Sequence, residues 1–298
     1  MVKSGCFRPL FPAFFYFWVD FLESGALRFK EESQIKILFI GDIVGAAGRK
    51  AVAETLPHLV EKFQPHFVIA NGENAAGGRG LTQKIANEFF DMGIHCLTMG
   101  NHTWDQKEIF NFIDKEERIV RPANYPSGTP GRGYTVVKSG NKELVVINLM
   151  GRTYLPPLEC PFRTMDDILS QVRKKHRFIF VDFHAEATSE KIAMGWHLDG
   201  KVSAVVGTHT HVQTHDETIL PNGTAYITDV GMVGSREGVL GMEREAVLQK
   251  FKTQLPVRFT ADDGKWQFHG VLIEVDEQNG LSKSIQLIRI YENEIIFH

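Results

Sequence analysis

The segment IKILFIGD, residues 35–42, decides the fold because it joins a buried strand to a polar residue at the carboxyl end of that strand. Its continuous apolar run is typical of a strand that is covered on both faces. Residues 45–63 follow with apolar side chains close to the helical period, which predicts a helix that Pro65 ends. A strand followed directly by a helix is the first half of a βαβ unit.

The chain then repeats this alternation of short apolar runs and helical segments, which is the signature of a doubly wound sheet. Further strands, some with their exit loops, are predicted at residues 67–74, 94–102, 144–151, 178–186, 202–211 and 225–231. Helices are predicted at Thr82–Phe90, from Asp105 to Asp114, and between the strands at 144–151, 178–186 and 202–211. The stretch Pro122–Gly133 predicts a loop because it is rich in proline and glycine.

The tail has a different pattern. From Val257 onward the segments alternate between apolar and polar residues, and the turn Gln278-Asn279-Gly280 joins residues 266–277 to 281–292 as an antiparallel hairpin. The predicted fold is therefore α/β, with a layered sheet core flanked by helices and with antiparallel C-terminal strands.

Composition and charge exclude several classes of protein. The 298 residues include Lys+Arg 33 and Asp+Glu 36, for a formal net charge of −3, and 43% are hydrophobic. This balance argues against stable binding of nucleic acid through a basic face, and the apolar content argues against disorder. Cys6, Cys96 and Cys160 form no C-x-x-C pair, which favours a reducing cytoplasm over a disulfide framework.

An aromatic stretch, Phe7–Leu22, precedes the first predicted strand. Pro9, Pro12 and Asp20 interrupt it, so its unbroken run is well below the roughly 20 residues that a spanning helix needs, and no small-x-small cleavage site follows. We expect residues 1–34 to be an extension outside the core, over-extended or non-native, and residues 35–298 to form one domain. A targeting or interfacial role is the alternative.

Side chains with metal-ligand chemistry follow the predicted strands repeatedly. They are Asp42, Glu73, Asn74, Asn101, His184, His209 and His211. In open α/β sheets the carboxyl ends of the strands open into one crevice, where ligands bind. Taken singly, Asp42 could cap a helix, Asn101 could sit in a turn and His184 could be an interior histidine. His209 and His211 are harder to dismiss, because residues i and i+2 of a strand share a face and two protonated imidazoles repel each other.

The seven residues form a mixed oxygen and nitrogen donor set. Such a set suits Mn, Fe or Zn better than Ca or a thiolate-bound metal. Seven donors are too many for one tetrahedral ion but enough for two ions that share a bridging carboxylate. Two ions roughly 3.5–4 Å apart can stabilise both the entering and the leaving oxygen of an in-line phosphoryl displacement.

Five motifs in order carry a family resemblance. They are Gly41-Asp42, Asn71-Gly72-Glu73-Asn74, Gly100-Asn101-His102, His184 and Gly207-Thr208-His209-Thr210-His211. This series resembles the calcineurin-like metallophosphoesterases, and most closely their YmdB family. The wider superfamily has Asp-x-His, Gly-Asp-x-x-Asp and an acid after Gly-Asn-His, whereas this chain has Asp42-Ile43-Val44, Glu73 and Thr103 at those positions. These departures match the YmdB pattern.

The resemblance implies a metallophosphoesterase-like fold with two divalent ions, Fe or Mn first and Zn as the alternative. In that arrangement Glu73 bridges the ions, Asp42, Asn74 and His211 complete one site, and Asn101, His184 and His209 complete the other. His102 would not be a ligand but would assist catalysis, by donating a proton to the leaving oxygen or by binding a phosphate oxygen.

The same resemblance implies a function. Similar proteins are phosphodiesterases that act best on 2′,3′-cyclic nucleotides and are homo-oligomers. A hydroxide held between two cations would attack phosphorus without a protein nucleophile. Two rivals remain open, namely a regulatory protein that keeps the metals with little turnover, and a Rossmann-type nucleotide-cofactor binder that uses the glycines at 41, 45 and 48.

Overall fold

The computed structural model describes residues 34–293, and the aromatic stretch Phe7–Leu22 lies outside the described residues, as does nearly all of the expected extension. Within that described range, none of the helices combines the length and the apolar character that crossing a bilayer requires. The division of the chain into an extension and one domain therefore stays a prediction.

The strands of the described range form two sheets. They are β1 (Gln34–Ile40), β2 (Asp42–Ile43), β3 (Phe67–Asn71), β4 (Cys96–Thr98), β5 (Ile119–Val120), β6 (Tyr134–Ser139), β7 (Lys142–Met150), β8 (Ile179–His184), β9 (Ala204–Thr208), β10 (Thr218–Ile219), β11 (Ala225–Ile227), β12 (Met232–Ser235), β13 (Trp266–Asp276) and β14 (Ser282–Tyr291). The first sheet has the order β2-β12-β13-β1-β3-β4-β5, with β14 paired to β13. The second has the order β10-β11-β9-β8-β7-β6.

The described residues form five α-helices. They are α1 (Gly45–Phe63), α2 (Gln83–Asp91), α3 (Pro161–Val172), α4 (Thr188–Leu198) and α5 (Arg244–Thr253). Four of them, α1 to α4, cover the outer faces of the two sheets. Leu56 of α1 and Phe89 of α2 pack in one buried cluster with Leu38 of the first sheet. Residues of α3 and α4 pack in the same way against β7, β8 and β9 of the second sheet.

The inner faces of the two sheets pack against each other. Phe39 of β1 and Phe180 of β8 are both fully buried, and their ring centroids are 5.1 Å apart. The architecture is thus helix, sheet, sheet, helix, which confirms the predicted layered core. The expectation of one doubly wound sheet is wrong, because the strands divide between two sheets. An apolar strand face has the same sequence pattern whether a helix or another sheet covers it.

The parallel strands set the position of the site. In the first sheet β1, β3, β4 and β5 are parallel neighbours, and in the second sheet β7, β8, β9 and β11 are parallel neighbours. The exit loops of each parallel set therefore leave from the same edge of their sheet.

The C-terminal hairpin is confirmed, but its first strand has a second role. Strand β13 pairs with β14 and also pairs antiparallel with β1, with Ile273 opposite Ile37. It therefore lies inside the first sheet. The helix predicted from Asp105 to Asp114 is a short 3₁₀ helix, Lys107–Asn111, and the sequence patterns did not identify β6, β12 or α5.

Two glycines near Asp42 permit close approach of the backbone. A Cβ atom at Gly41 would collide with the carbonyl oxygen of Gly231, and one at Gly48 would collide with that of Val233. Backbone packing against the segment around β12 therefore explains why residues 41 and 48 are glycines.

Candidate metal centre

The predicted ligand residues lie at the carboxyl ends of strands from both sheets. Asp42 follows β1 and opens β2, Glu73 and Asn74 follow β3, Asn101 follows β4, His184 ends β8, and His209 and His211 follow β9. The structure brings all seven together, since each has a polar atom within 4.0 Å of a polar atom of another member.

The buried ring of His184 stands at the centre of one group of contacts. Its Nε2 lies 2.9 Å from Asn101 Oδ1, 3.0 Å from Glu73 Oε1 and 3.0 Å from His209 Nδ1. Ligand atoms of Glu73, His184 and His209 all lie within 4.8 Å of one another. A single ring nitrogen offers one proton or one lone pair, so three polar neighbours exceed what it can bond.

A second group of contacts surrounds Asp42. His211 Nε2 lies 3.8 Å from Asp42 Oδ1 and 3.2 Å from the amide nitrogen of Asn74. The Asn74 amide nitrogen is in turn 3.5 Å from Glu73 Oε1, so this group adjoins the first one at Glu73. Asp42 Oδ1 is buried and has no hydrogen-bond partner among the described residues. A buried carboxylate oxygen without a partner is costly unless a cation or a donor reaches it.

The buried charges perturb one another strongly. Burial raises the pKa of Asp42 to about 6, against the lowering effect of the His211 and His184 charges. Burial also opposes ionisation of Glu73, but the charge and the hydrogen bond of His184 outweigh it and lower the Glu73 pKa to about 2. The same contact raises the pKa of His184 to about 9 against the effect of its burial.

His209 differs from His184. Burial, together with the charge of His184, lowers the pKa of His209 to about 3. Its ring is therefore neutral near pH 7 and keeps a lone pair available, which a metal ligand needs.

His209 and His211 lie beyond the end of strand β9, so the alternation of side chains along a strand does not apply to them. Strand β9 ends at Thr208, and both histidines have left-handed backbones, with φ of 102° and 65°. The expectation that they share a strand face is wrong, because a tight turn carries them instead. The turn is held at Thr210, whose backbone N–H and hydroxyl donate to Asp229 Oδ2 at 3.1 and 2.7 Å.

His102 lies beside the centre. Its backbone N–H donates to Glu73 Oε2 at 2.8 Å, and its ring Nδ1 is 2.9 Å from Asp105 Oδ2. The ring is 26% exposed, unlike the fully buried ring of His184. The His102 ring therefore lies at the partly exposed edge of the donor cluster. The His102 backbone contacts the Glu73 carboxylate, whereas its ring is directed toward Asp105.

The sequence patterns did not identify several buried polar residues behind the centre. Asp182 and Thr208 contact each other and Thr208 contacts His184, while Lys191 pairs with Asp229. Asp182 had a signal that could have revealed it, since a carboxylate in the middle of the apolar strand Ile179–His184 needs buried partners. The signal for Lys191 was weaker: it is a cation among the buried residues of helix α4.

The residues present fit divalent cations. The set contains two buried carboxylates, two carboxamides and three imidazoles, and one carboxylate oxygen has no hydrogen-bond partner among the described residues. Gly100 adds to this fit, because a Cβ at that position would collide with the His184 ring and with Glu73 Oε2. The backbone before Asn101 can therefore approach the donor cluster only because residue 100 is glycine.

Comparison with known proteins agrees with this picture. The family model described as "YmdB-like protein" matches residues 38–288. A relative from Bacillus subtilis strain 168, named 2′,3′-cyclic-nucleotide 2′-phosphodiesterase, is 57% identical over 263 residues, which are 88% of this chain and 100% of the relative.

Two solved structures have the same fold. A hypothetical protein from Thermus thermophilus is 42% identical with a TM-score of 0.82, and the match covers 87% of this chain and 100% of that one. A structure described as a novel phosphatase from Mycoplasma pneumoniae is 35% identical with a TM-score of 0.83, covering 89% of this chain and 96% of that one. On the extent of these matches and the order of its site motifs, the chain belongs to the YmdB-like family.

Proposed function

We propose that this protein is a metal-dependent phosphodiesterase that hydrolyses small phosphodiesters, with 2′,3′-cyclic nucleotides as its substrate class. The observation that carries the proposal is the convergence of Glu73, Asn101 and His209 on His184 Nε2, beside a buried oxygen of Asp42 that has no hydrogen-bond partner among the described residues. The name of the Bacillus subtilis relative supports the substrate class.

The contacts support two ions that share one carboxylate. Asn101, His184 and His209 would hold one ion, Asp42, Asn74 and His211 would hold the other, and Glu73 would bridge them, because it adjoins both groups. Fe or Mn is proposed first and Zn second, since the donor set mixes imidazoles with carboxylates and amides. When bound, such ions supply positive charge for the phosphate oxygens and activate water at neutral pH.

The residues of the chain would then act on the substrate. In the proposed reaction a water oxygen would bond to phosphorus and lose one proton to solvent, the bond from phosphorus to the 2′ oxygen would break, and that oxygen would leave with a proton from His102. Asp105 orients the His102 ring through Nδ1, which leaves Nε2 to give that proton. The buried carboxylates and imidazoles would be held in place before the substrate arrives.

The experiment is turnover by protein loaded separately with Mn²⁺, Fe²⁺ or Zn²⁺ and supplied with 2′,3′-cyclic AMP. We expect a 3′-monophosphate as product, no turnover after chelation, and recovery when the metal is restored. Protein that holds its ions but does not cleave any phosphodiester would support the regulatory alternative. Metal analysis of protein purified without added metal identifies the native ions.

The family and the two-sheet fold do not favour the Rossmann-type cofactor binder, since Gly41 and Gly48 are explained by packing. A homo-oligomer, a cytoplasmic location and the absence of stable nucleic-acid binding complete the proposal. The near-neutral net charge of −3 supports the last of these. Sedimentation of the purified protein would test the first.

A further inference from the structure

Asp182 lies behind the candidate centre and links the two sheets. It is fully buried in β8 of the second sheet. Its Oδ2 accepts hydrogen bonds from two residues of the first sheet, Thr98 Oγ1 at 2.5 Å and Asn71 Nδ2 at 3.1 Å. Its Oδ1 accepts one from Thr208 Oγ1 at 2.7 Å. Three side-chain donors thus converge on one carboxylate that lies outside the predicted ligand set.

The hydroxyl of Thr208 has a second contact, to Nδ1 of His184 at 2.9 Å. A hydroxyl carries one proton, and Thr208 donates it to Asp182. The hydroxyl oxygen can therefore only accept from His184, so the His184 Nδ1 must carry a proton. The other ring nitrogen, Nε2, is the one that faces Glu73, Asn101 and His209.

We propose that Thr208 and Asp182 are positioning residues that fix the tautomer and the orientation of His184, so that Nε2 is presented to a divalent cation. This inference rests on the metal binding in the proposed function. A ligating histidine is commonly oriented by a group bonded to its other nitrogen, and loss of such a group typically weakens metal binding about 10–100-fold.

The same carboxylate also controls the position of Glu73. The Asn71 side chain donates to Asp182 through Nδ2, while its Oδ1 accepts from the backbone N–H of Glu73 at 3.1 Å. Asp182 is therefore connected to His184 through Thr208 and to Glu73 through Asn71. One buried group from the second sheet sets the relative position of donors from both sheets.

Two threonines provide a matched pair of variants. Thr98 and Thr208 are both fully buried and both donate to Asp182, but only Thr208 also contacts His184. Thr208→Val and Thr98→Val each replace a hydroxyl by a methyl group of similar size. Thr208→Ser keeps the hydroxyl and serves as the rescue variant.

The readout is the Mn²⁺ dissociation constant of protein stripped of metal and titrated by calorimetry, with the Tm of each variant measured alongside. We expect Thr208→Val to bind Mn²⁺ about 10–100-fold more weakly, Thr98→Val to bind like the wild type, and Thr208→Ser to recover affinity. A proton NMR signal from the His184 Nδ1 proton should be present in the wild type and shifted in Thr208→Val.

Several outcomes would overturn the proposal. They are unchanged Mn²⁺ affinity in Thr208→Val, an equal loss in Thr98→Val, or no recovery of affinity in Thr208→Ser. Failure of the proposed function is distinguishable from these, because protein that binds Mn²⁺ but cleaves no cyclic nucleotide would refute the activity while leaving the role of Thr208 measurable. If Thr208→Val unfolds, the test is the His184 Nδ1 proton signal in Thr208→Ser, which keeps the hydroxyl. Absence of that signal in Thr208→Ser would contradict the proposal.

Discussion

Lys191 and Asp229 form a buried ion pair, with Lys191 Nζ 2.6 Å from Asp229 Oδ2 and each side chain 1% exposed. The carboxylate also accepts from the backbone of Thr210, between His209 and His211, and from the backbone of Gly231. Gly231 in turn accepts from the backbone N–H of Asp42. This one pair therefore connects helix α4 to backbone segments on both sides of the candidate centre.

We expect Lys191→Met to destabilise the protein by about 3–5 kcal/mol, because it leaves the Asp229 carboxylate buried without its cation. The measurement is the free energy of unfolding in urea, taken without metal so that ligand binding does not contribute. Lys84→Met is the control, because Lys84 pairs with Glu88 at 3.9 Å on the surface and should leave that free energy unchanged. If Lys191→Met changed the free energy of unfolding as little as Lys84→Met does, the buried pair would contribute little to stability.

Glu73→Gln should lose more metal than any other single substitution in the donor set. A bridging carboxylate would contact both ions and offset part of their mutual repulsion, whereas glutamine carries no charge. Metal content by mass spectrometry should fall at both sites, with Glu88→Gln on the surface as the control. Two ions per chain in Glu73→Gln would refute the bridging role.

His102→Ala should keep both metals and near-normal folding, because the ring is directed toward Asp105 and not into the donor cluster. Loss of a general acid typically lowers kcat by about 10²–10⁴-fold. The loss should be larger for 2′,3′-cyclic AMP than for bis-p-nitrophenyl phosphate, whose leaving group needs little protonation. Equal losses on the two substrates would indicate that His102 stabilises phosphate charge, and loss of metal would make it a ligand.

His269 should make stability depend on pH. Burial, with the nearby charge of Arg289, lowers its pKa to about 4, and both ring nitrogens are buried without a hydrogen-bond partner among the described residues. The unfolded chain takes up this proton near its ordinary pKa of about 6.5, so stability is lost as the pH falls from there toward 4.

Comparison of His269→Gln with the wild type isolates this effect, since other groups, Asp42 among them, titrate in the same range. As the pH falls from 6.5 to 4, the free energy of unfolding of His269→Gln should rise relative to that of the wild type, by up to about 1.4 kcal/mol for each pH unit. Urea unfolding of metal-free protein at several pH values measures it. Parallel stability curves for the two proteins would contradict the prediction.

Removal of residues 1–33 should leave kcat/KM for 2′,3′-cyclic AMP unchanged, because every proposed ligand lies within the described range from Asp42 to His211. Circular dichroism would establish that the shortened protein is folded. A folded but inactive protein would mean that the aromatic stretch contributes to the site.

The sequence by itself determined most of the strands and helices along the chain, although not β6, β12 or α5, and it identified the polar residues at the strand ends. Helix α1 begins at Gly45 and ends at Phe63, where the apolar period and Pro65 place it. The Thr82 hydroxyl oxygen caps α2 by accepting a hydrogen bond from the backbone N–H of Ile85. Such features are local, since periodicity and capping depend on residues a few positions apart. The family motifs are local for the same reason.

Only the tertiary structure decided how the two sheets meet. Asp42 and Glu73 lie on the first sheet, whereas His184 and His209 lie on the second, so the candidate centre exists only where the two edges face each other. Apolar strand faces do not record what covers them, and the roles of Thr208 and Asp182 depend on hydrogen-bond distances between residues far apart in the chain. Distances of that kind follow from packing of the whole core, not from the spacing of residues along the sequence.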